Sequence, residues 1–370
     1  MERIGVGIVG TGGIARAHMK GYAALAERCR IVAVADIDGE RARAAAAEAG
    51  DGVRAYDDHR RLLEDGEVQL VSVCTPPFVH ASIAIDALRA GKHVLVEKPM
   101  AASLEECDAM IRAAEESGTT LAVVFQNRWR PEWRRAKAVI DSGLLGRILF
   151  GKVDCLWWRG DNYYDVWWRG TWERECGGAT INHAVHHIDG FLWFMGEPES
   201  VYAEMEALAR PIEVEDFSTA IVRFRSGAVG QILSTVVAQH NTDRIEITGT
   251  RAGISLPWDV FAVSARPNGF PQQAPEVKAE IEAHAAAVPV PAHQGHAAQI
   301  EDLLDAIREG RPPLVDGVAG RRAIELITGI YLSATTGERV RFPLDASCPF
   351  YTTEGLRARV KRHARARREA

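Results

Sequence analysis

The 370-residue sequence predicts an α/β N-terminal domain, a parallel sheet with helices on both faces. This is joined to an α+β C-terminal domain with a large open, mainly antiparallel sheet. From the start to about residue 124, short apolar runs alternate with helical stretches, the pattern of parallel strands linked by helices. Gly5–Ala15 reads as a strand, a glycine-rich turn and a helix start. After about residue 150 the apolar runs lengthen, alternate in polarity and follow one another with few helices between them, as an antiparallel sheet with one covered face requires.

In the first half the strand candidates are Ile4–Val9, Ile31–Ala35, Leu70–Cys74, His93–Val96 and Leu121–Phe125. Between them lie helices over Glu40–Glu48, Ala81–Ala90 and Leu104–Ser117, the last opened by a capping box of Ser103 and Glu106. The glycine turn carries chemistry. Gly10 permits a tight exit from the strand, Gly12 lets a pyrophosphate approach without a Cβ in the way, and Ala15 lets the helix pack on the sheet. The backbone of Thr11, Gly12, Gly13 and Ile14 then leads into a helix start whose free N–H groups suit phosphate. The second strand ends on Asp36, about 20 residues past Ala15, where the acid that binds an adenosine ribose belongs. Residues 1–124 therefore read as a Rossmann dinucleotide-binding domain. Ile37 and Asp38 offer no cation to a 2′-phosphate, which favours NAD over NADP, with Arg41 and Arg43 the nearest cations.

Residues 125–345 form the expected substrate-binding and oligomerisation domain. Its strand candidates are Val201–Leu208, Ser218–Phe224, Val229–Val237 and Arg244–Ile247, with Arg225-Ser226-Gly227 as a hairpin turn. Loop and irregular structure are expected between Ala262 and Pro291, and helices over His296–Glu309 and Gly317–Thr336. Residues 346–370 form a basic tail with Arg357, Arg359, Lys361, Arg362, Arg365, Arg367 and Arg368, read as a solvated or frayed terminal helix. Hydrophobic residues at 47% and charged residues at 25% are those of a globular protein, and a net charge of −6 argues against nucleic acid as a partner. No run of apolar residues is long enough to span a membrane, and the chain enters a strand directly, so a cytoplasmic location is expected. The six cysteines are scattered and read as reduced and packed.

Three further motifs stand at strand ends or helix starts. Cys74-Thr75-Pro76-Pro77 with His80, and Glu97-Lys98-Pro99, follow core strands, and ligands of open α/β sheets bind there. Thr75, Pro76, His80, Glu97 and Lys98 are thus expected in the cofactor cleft, and a cis bond before Pro99 would fix the direction of the lysine. Cys176–Asp189 reads as a glycine-opened helix presenting Asn182 and His186 on one face, four residues apart. Gln126, Asn127 and Arg128 follow the last Rossmann strand and are expected in the same cleft. Between Trp157 and Trp172, aromatic rings alternate with Arg159, Asp161 and Arg169, a mixture that can stack on sugar C–H faces and bind hydroxyls. His183, His186, His187 and Asp189 invite a metal reading. None is expected, because catalytic zinc needs three convergent protein ligands.

Together these residues resemble the Gfo/Idh/MocA family of nicotinamide-dependent sugar and polyol dehydrogenases, over nearly the whole chain. The resemblance implies hydride exchange between nicotinamide and a carbinol carbon of a small-molecule carbohydrate, by a homodimer or homotetramer paired through the C-terminal sheet. It places Lys98 and His186 beside the reacting carbon, with His186 as acid/base and Lys98 assisting. Asn182 stands where many relatives carry aspartate, and asparagine can hold His186 or a hydroxyl but not take its proton. Around them the resemblance suggests Trp168 and Arg169 for the cofactor, with Gln126. Arg128, Tyr163, Arg169, Asn182 and His183 are the candidates for the substrate. A glycoside-cleaving enzyme that oxidises carbon 3 transiently, and a non-catalytic cofactor sensor, are the alternative functions.

Overall fold

The computed structural model describes residues 3–362. Six strands, β1 (Ile4–Val9), β2 (Cys29–Ala35), β3 (Arg54–Tyr56), β4 (Leu70–Val73), β5 (His93–Val96) and β6 (Leu121–Val123), form a parallel sheet in the order β3-β2-β1-β4-β5-β6. Strands β1, β4 and β6 are buried along their whole length, which a parallel sheet covered on both faces demands. The helices are α1 (Ala15–Ala23), α2 (Gly39–Ala49), α3 (His59–Leu63), α4 (His80–Arg89) and α5 (Leu104–Ser117). The chain winds outward from β1 to β3 and then resumes at β4 on the other side of β1. A crevice therefore opens at the carboxyl ends of β1 and β4. At α5 the Ser103 hydroxyl accepts the Glu106 N–H at 3.3 Å, while the Glu106 carboxylate reaches the Ala102 N–H at 2.9 Å rather than that of Ser103.

The second half opens with α6 (Pro131–Asp141), β7 (Ile148–Trp158), α7 (Ala179–Asn182) and α8 (Val185–Met195). It continues through β8 (Pro198–Glu206), β9 (Phe217–Phe224), β10 (Val229–Thr235), β11 (Val237–Gly249), β12 (Gly253–Leu256) and β13 (Asp259–Phe261). After β14 (Val263–Ala265), β15 (Pro271–Gln273), α9 (Pro275–Ala286), α10 (Gly295–Glu309) and α11 (Gly317–Thr336) come β16 (Val340–Arg341) and α12 (Thr353–Arg359). Eight strands pair in the order β13-β12-β11-β7-β10-β9-β8-β16, antiparallel except for the parallel pair β7 and β10. Helix α10 returns to the first sheet, where Ile300, Leu303 and Leu304 pack with Val6, Ile8 and Tyr22.

Four expectations are corrected here. The central strand β7 was not anticipated, because Lys152 and Asp154 interrupt its apolar run; they pair with each other at 2.7 Å. Residues 262–291 are not irregular but hold the β14–β15 hairpin and α9, a helix that buries only Ile281 and Ala285 and so shows little apolar periodicity. The helix expected after Gly178 is broken: α7 ends at Asn182 and α8 starts at Val185, so Asn182 and His186 do not share one helical face. The start of α7 is fixed from afar. The buried Glu215 carboxylate accepts the N–H groups of Gly178 and Thr180, each at 2.9 Å, and a Cβ on Gly178 would lie 1.8 Å from the Glu215 carbonyl oxygen. The tail is not frayed where it is described, because Leu356 of α12 is buried and Lys361 Nζ reaches the Met205 carbonyl at 3.2 Å. Arg365, Arg367 and Arg368 lie outside the described residues.

Candidate active site

A cavity of about 920 Å³ lies at the carboxyl ends of the first sheet, closed on its far side by residues 157–183. Gly10, Gly12, Gly13, Ile14, Asp36, Thr75, Pro76, Glu97 and Lys98 line one wall. The opposite wall is Trp157, Arg159, Tyr163, Trp167, Trp168, Arg169, Asn182 and His183. Phe78 meets Trp167 edge to face, with ring centres 6.0 Å apart, and bridges the two.

On the first wall Gly10 takes φ +88°, and a Cβ there would come within 2.7 Å of the Cys74 carbonyl group. At Gly12 and Gly13 a Cβ would meet nothing within 4 Å, so the loop presents bare backbone to open space. No side chain caps α1, whereas Asp38 and Asp58 cap α2 and α3. That combination fits a dinucleotide pyrophosphate at the loop. Thr11 faces away from the cavity: its N–H and hydroxyl both donate to Asp36 Oδ2 at 2.9 Å, locking the acid in place. Asp36 Oδ1 accepts from the Asp38 N–H and from Arg41 Nη2, each at 3.0 Å.

Lys98 stands at the junction of the walls, and its bond to Pro99 is cis. Its Nζ donates to the backbone carbonyl of Asn182 at 3.2 Å, leaving two of its three N–H bonds for a ligand. Burial pushes the Lys98 pKa down, against the pull of the Glu97 carboxylate, and the Arg169 charge lowers it further. Behind it runs a buried chain that the sequence did not announce. Tyr22 Oη lies 2.6 Å from Ser72 Oγ, Ser72 Oγ lies 3.1 Å from His18 Nδ1, and His18 Nε2 lies 2.9 Å from Glu97 Oε1. His296 Nε2 lies 3.6 Å from the same oxygen. Burial disfavours the Glu97 anion, but the hydrogen bond from His18 and the nearby His296 outweigh it and hold the carboxyl well below the usual range. The only signal in the sequence was a carboxylate at a core strand end, which must find partners when buried.

On the second wall Arg169 stacks on Tyr163 and Trp168, 3.9 and 4.1 Å from the ring centres, and its Nη1 donates to Glu175 Oε1 at 2.9 Å. Burial pushes Glu175 up to about 7, against the hydrogen bond from the Gly170 N–H and the Arg169 charge. The Asn182 side-chain amide is spent on the loop before it, donating to the Gly177 carbonyl at 2.8 Å. His183 Nε2 lies 3.2 Å from Tyr163 Oη and its ring meets Trp157 edge to face. His186 sits one step behind, edge to face with Phe125, its Nδ1 without a hydrogen-bond partner. It is His183, not His186, that forms the wall. Burial and then neighbouring positive charge, from Arg159 at His183 and from Lys98 at His186, hold both imidazoles well below their ordinary pKa.

Three expected site residues are placed elsewhere. Arg128 forms a buried fork to Asp189, Nε at 2.9 Å and Nη2 at 2.5 Å, and does not line this cavity. His80 braces two turns, with ring nitrogens 2.8 Å from the carbonyl oxygens of Pro99 and Thr75. Gln126 is outside the lining, its buried Oε1 unpartnered. The pairing with Arg128 also removes Asp189 from any metal cluster with the histidines. Two groupings that were not foreseen, His18 with Glu97 and His296, and Cys155 with His187 and Asp243, bring ligand-type atoms within 4.8 Å. The tryptophans divide: Trp172 is buried against Tyr331 at 5.0 Å, whereas Trp157, Trp167 and Trp168 face the cavity.

Residues 4–125 match the oxidoreductase family with an NAD-binding Rossmann fold named for GFO, IDH and MocA, and residues 133–255 match that family's C-terminal domain. The chain belongs to the Gfo/Idh/MocA family. Among the curated members it is 31% identical over 293 residues to levoglucosan dehydrogenase of Pseudarthrobacter phenanthrenivorans, covering 70% of this chain and 75% of that protein. It is 30% identical over 266 residues to inositol 2-dehydrogenase of Rubrobacter xylanophilus, covering 69% and 72%. Of solved members, the WlbA dehydrogenase of Bordetella pertussis, in complex with NADH and UDP-GlcNAcA, superposes with a TM-score of 0.82 at 32% identity, covering 93% of this chain and all of that one. This Gfo/Idh/MocA protein is thus an NAD-binding oxidoreductase of the sugar-dehydrogenase type. Among its described residues no helix is long and apolar enough to cross a membrane.

Proposed function

We propose that the protein oxidises a carbinol carbon of a sugar, sugar acid or cyclitol with NAD, using Lys98 and His186. The observation that carries this reading is Lys98: an ammonium with two free N–H bonds, set between a bare glycine loop and an aromatic wall. A dinucleotide held by its pyrophosphate at the loop would supply a nicotinamide ring as the hydride acceptor. Lys98 donates to the substrate oxygen and stabilises the negative charge that grows there as hydride leaves. The neutral imidazole of His186 takes the hydroxyl proton, a role its lowered pKa suits because it stays unprotonated near neutrality. Asp36 holds the adenosine ribose, and a 2′-phosphate there would face the carboxylates of Asp36 and Asp38, to which the neighbouring Arg41 is already paired, which supports NAD over NADP. The relatives named above span an anhydrosugar, a cyclitol and a nucleotide-linked sugar acid, so the reading is kept at the level of the carbohydrate carbinol. Pairing through the second sheet is supported by Tyr202 and Ile221, neighbours across β8 and β9 that are 41% and 55% exposed.

A second reading follows from the Tyr163–His183 pair. A further proton-transferring couple on the wall suits elimination after transient oxidation at carbon 3, the chemistry of a glycoside-cleaving enzyme. One screen separates the two. Monosaccharides, sugar acids, cyclitols and nucleotide sugars are assayed for NADH and NADPH formation, beside aryl glycosides assayed for release of the phenol. NADH formation with a free sugar supports the dehydrogenase. Phenol release without net NADH supports the lyase, a preference for NADP contradicts the reading of Asp36, and no reaction with any of them contradicts both.

A further inference from the structure

We propose that the substrate is an anionic sugar, bearing a carboxylate or a phosphate, and that Arg159 is the residue that binds its charge. The proposal deepens the dehydrogenase reading and rests on it. It follows from asking which cations of the cavity already have a carboxylate. Arg41 reaches Asp36 at 3.0 Å and Asp38 at 3.1 Å, Arg60 reaches Asp86 at 3.4 Å, and Arg169 reaches Glu175 at 2.9 Å. Lys98 has the buried Glu97 anion beside it and, in the dehydrogenase reading, serves the reacting oxygen. Arg159 has none: among the described residues no carboxylate lies within salt-bridge distance of it.

Its guanidinium is nevertheless held in place. It lies over Trp157 at 4.8 Å and Tyr163 at 5.4 Å from the ring centres, and Nη1 donates to the Trp158 carbonyl at 2.9 Å. Aromatic faces orient a guanidinium without neutralising it, and one carbonyl leaves four of its five N–H donors unused. A planar fork fixed in this way is the group that binds a carboxylate or phosphate through two parallel hydrogen bonds. The surroundings add to the demand for an anion. His183, on the same wall, is held neutral by burial and by the positive charge of Arg159, Lys98 and Arg169. The carboxylates of Glu97 and Glu175 are already engaged by His18 and Arg169, and of the other acids of the cavity Asp57 pairs with Arg61 at 3.1 Å and Asp58 caps α3.

The test compares matched sets of sugars, each a hexose, its hexuronic acid and its 6-phosphate in the gluco, galacto and manno series. Binding to the wild-type protein and to Arg159→Gln, both saturated with NADH, is measured by titration calorimetry, and oxidation with NAD is measured separately. At least one acid or phosphate is expected to bind about ten- to a hundred-fold more tightly than its neutral partner, the range of a charged hydrogen bond, and R159Q is expected to erase the advantage. Whether the acid or the phosphate is preferred names the source of the charge. Arg159→Lys, which keeps the charge but loses the fork, should retain part of the advantage, and serves if R159Q does not fold. Equal binding of charged and neutral partners, or an advantage that survives in a folded R159Q, overturns the proposal. Charged sugars that bind but are never oxidised contradict the dehydrogenase reading and leave the anion site standing.

Discussion

The two walls of the cavity are built in opposite ways. The cofactor wall comes from segments that each follow a strand of one sheet, and several of its polar groups are paired across those segments: Thr11 on Asp36, Asp38 on the start of α2, His80 on Thr75 and Pro99. The substrate wall comes from one stretch after β7 that crosses over the sheet ends, and its groups lean on partners within that same stretch. Glu175 and Asn182 pin the loop, Tyr163 meets His183, and Arg159 is left with rings and one carbonyl. A wall that holds an invariant ligand can be fully paired in advance. A wall that selects a ligand must keep charge and donors unspent.

The largest test of this contrast sets the two histidines against each other. His186→Ala should lower turnover by about 10²- to 10⁴-fold, the usual worth of a general base, with NADH affinity little changed. His183→Ala should cost less; if it costs more, the proton passes through the wall residue instead. Both imidazoles must be unprotonated to act, and both pKa values are lowered, so the acid limb of kcat/KM should lie below the ordinary histidine value of about 6.5. Next in size is Arg128→Met. It strands the Asp189 carboxylate in a buried position, and should cost about 3–5 kcal/mol in denaturant unfolding with the KM for sugar barely moved. A raised KM at unchanged stability would return Arg128 to the site. The smallest effect concerns Glu175. Its carboxyl titrates at about 7 in the folded protein but near 4.5 when exposed, so the native state holds the extra proton between those values and loses stability as pH rises through them. Arg169 opposes this only in part. Melting temperatures taken between about pH 5 and pH 8 should show that loss in the wild type and less of it in Glu175→Gln; parallel curves would contradict it.

How far the site could be read from the sequence follows how far along the chain each group's partners lie. The glycine loop, Asp36 and Lys98 were legible because strand, turn and helix signals sit within a few residues of the groups they position. The parallel sheet was legible for the same reason, down to the limits of β5, α5 and α11. The break between Asn182 and His186 was not, and the start of α7 rests on Glu215, 37 residues away from Gly178. The fate of Arg128 depends on Asp189, 61 residues away, and the chain behind Lys98 gathers His18, Ser72, Glu97 and His296 from four different elements. Such partners have no local signature. Nor could ring chemistry alone divide Trp172, in the core, from Trp157 and Trp168, in the cavity, because each side of the crossing segment is equally aromatic.

The central claim is that the glycine wall binds the cofactor while Lys98, between the walls, serves the reacting oxygen. Lys98→Met, of similar length but without charge, tests it with two readings on one protein: NADH affinity by fluorescence titration and NADH formation from the best sugar of the screen. Turnover should fall by about 10²- to 10³-fold, the usual effect of removing a donor to a developing oxyanion, while NADH affinity stays within about three-fold. Near-normal turnover, or a loss of NADH affinity as large as the loss of rate, would contradict the account.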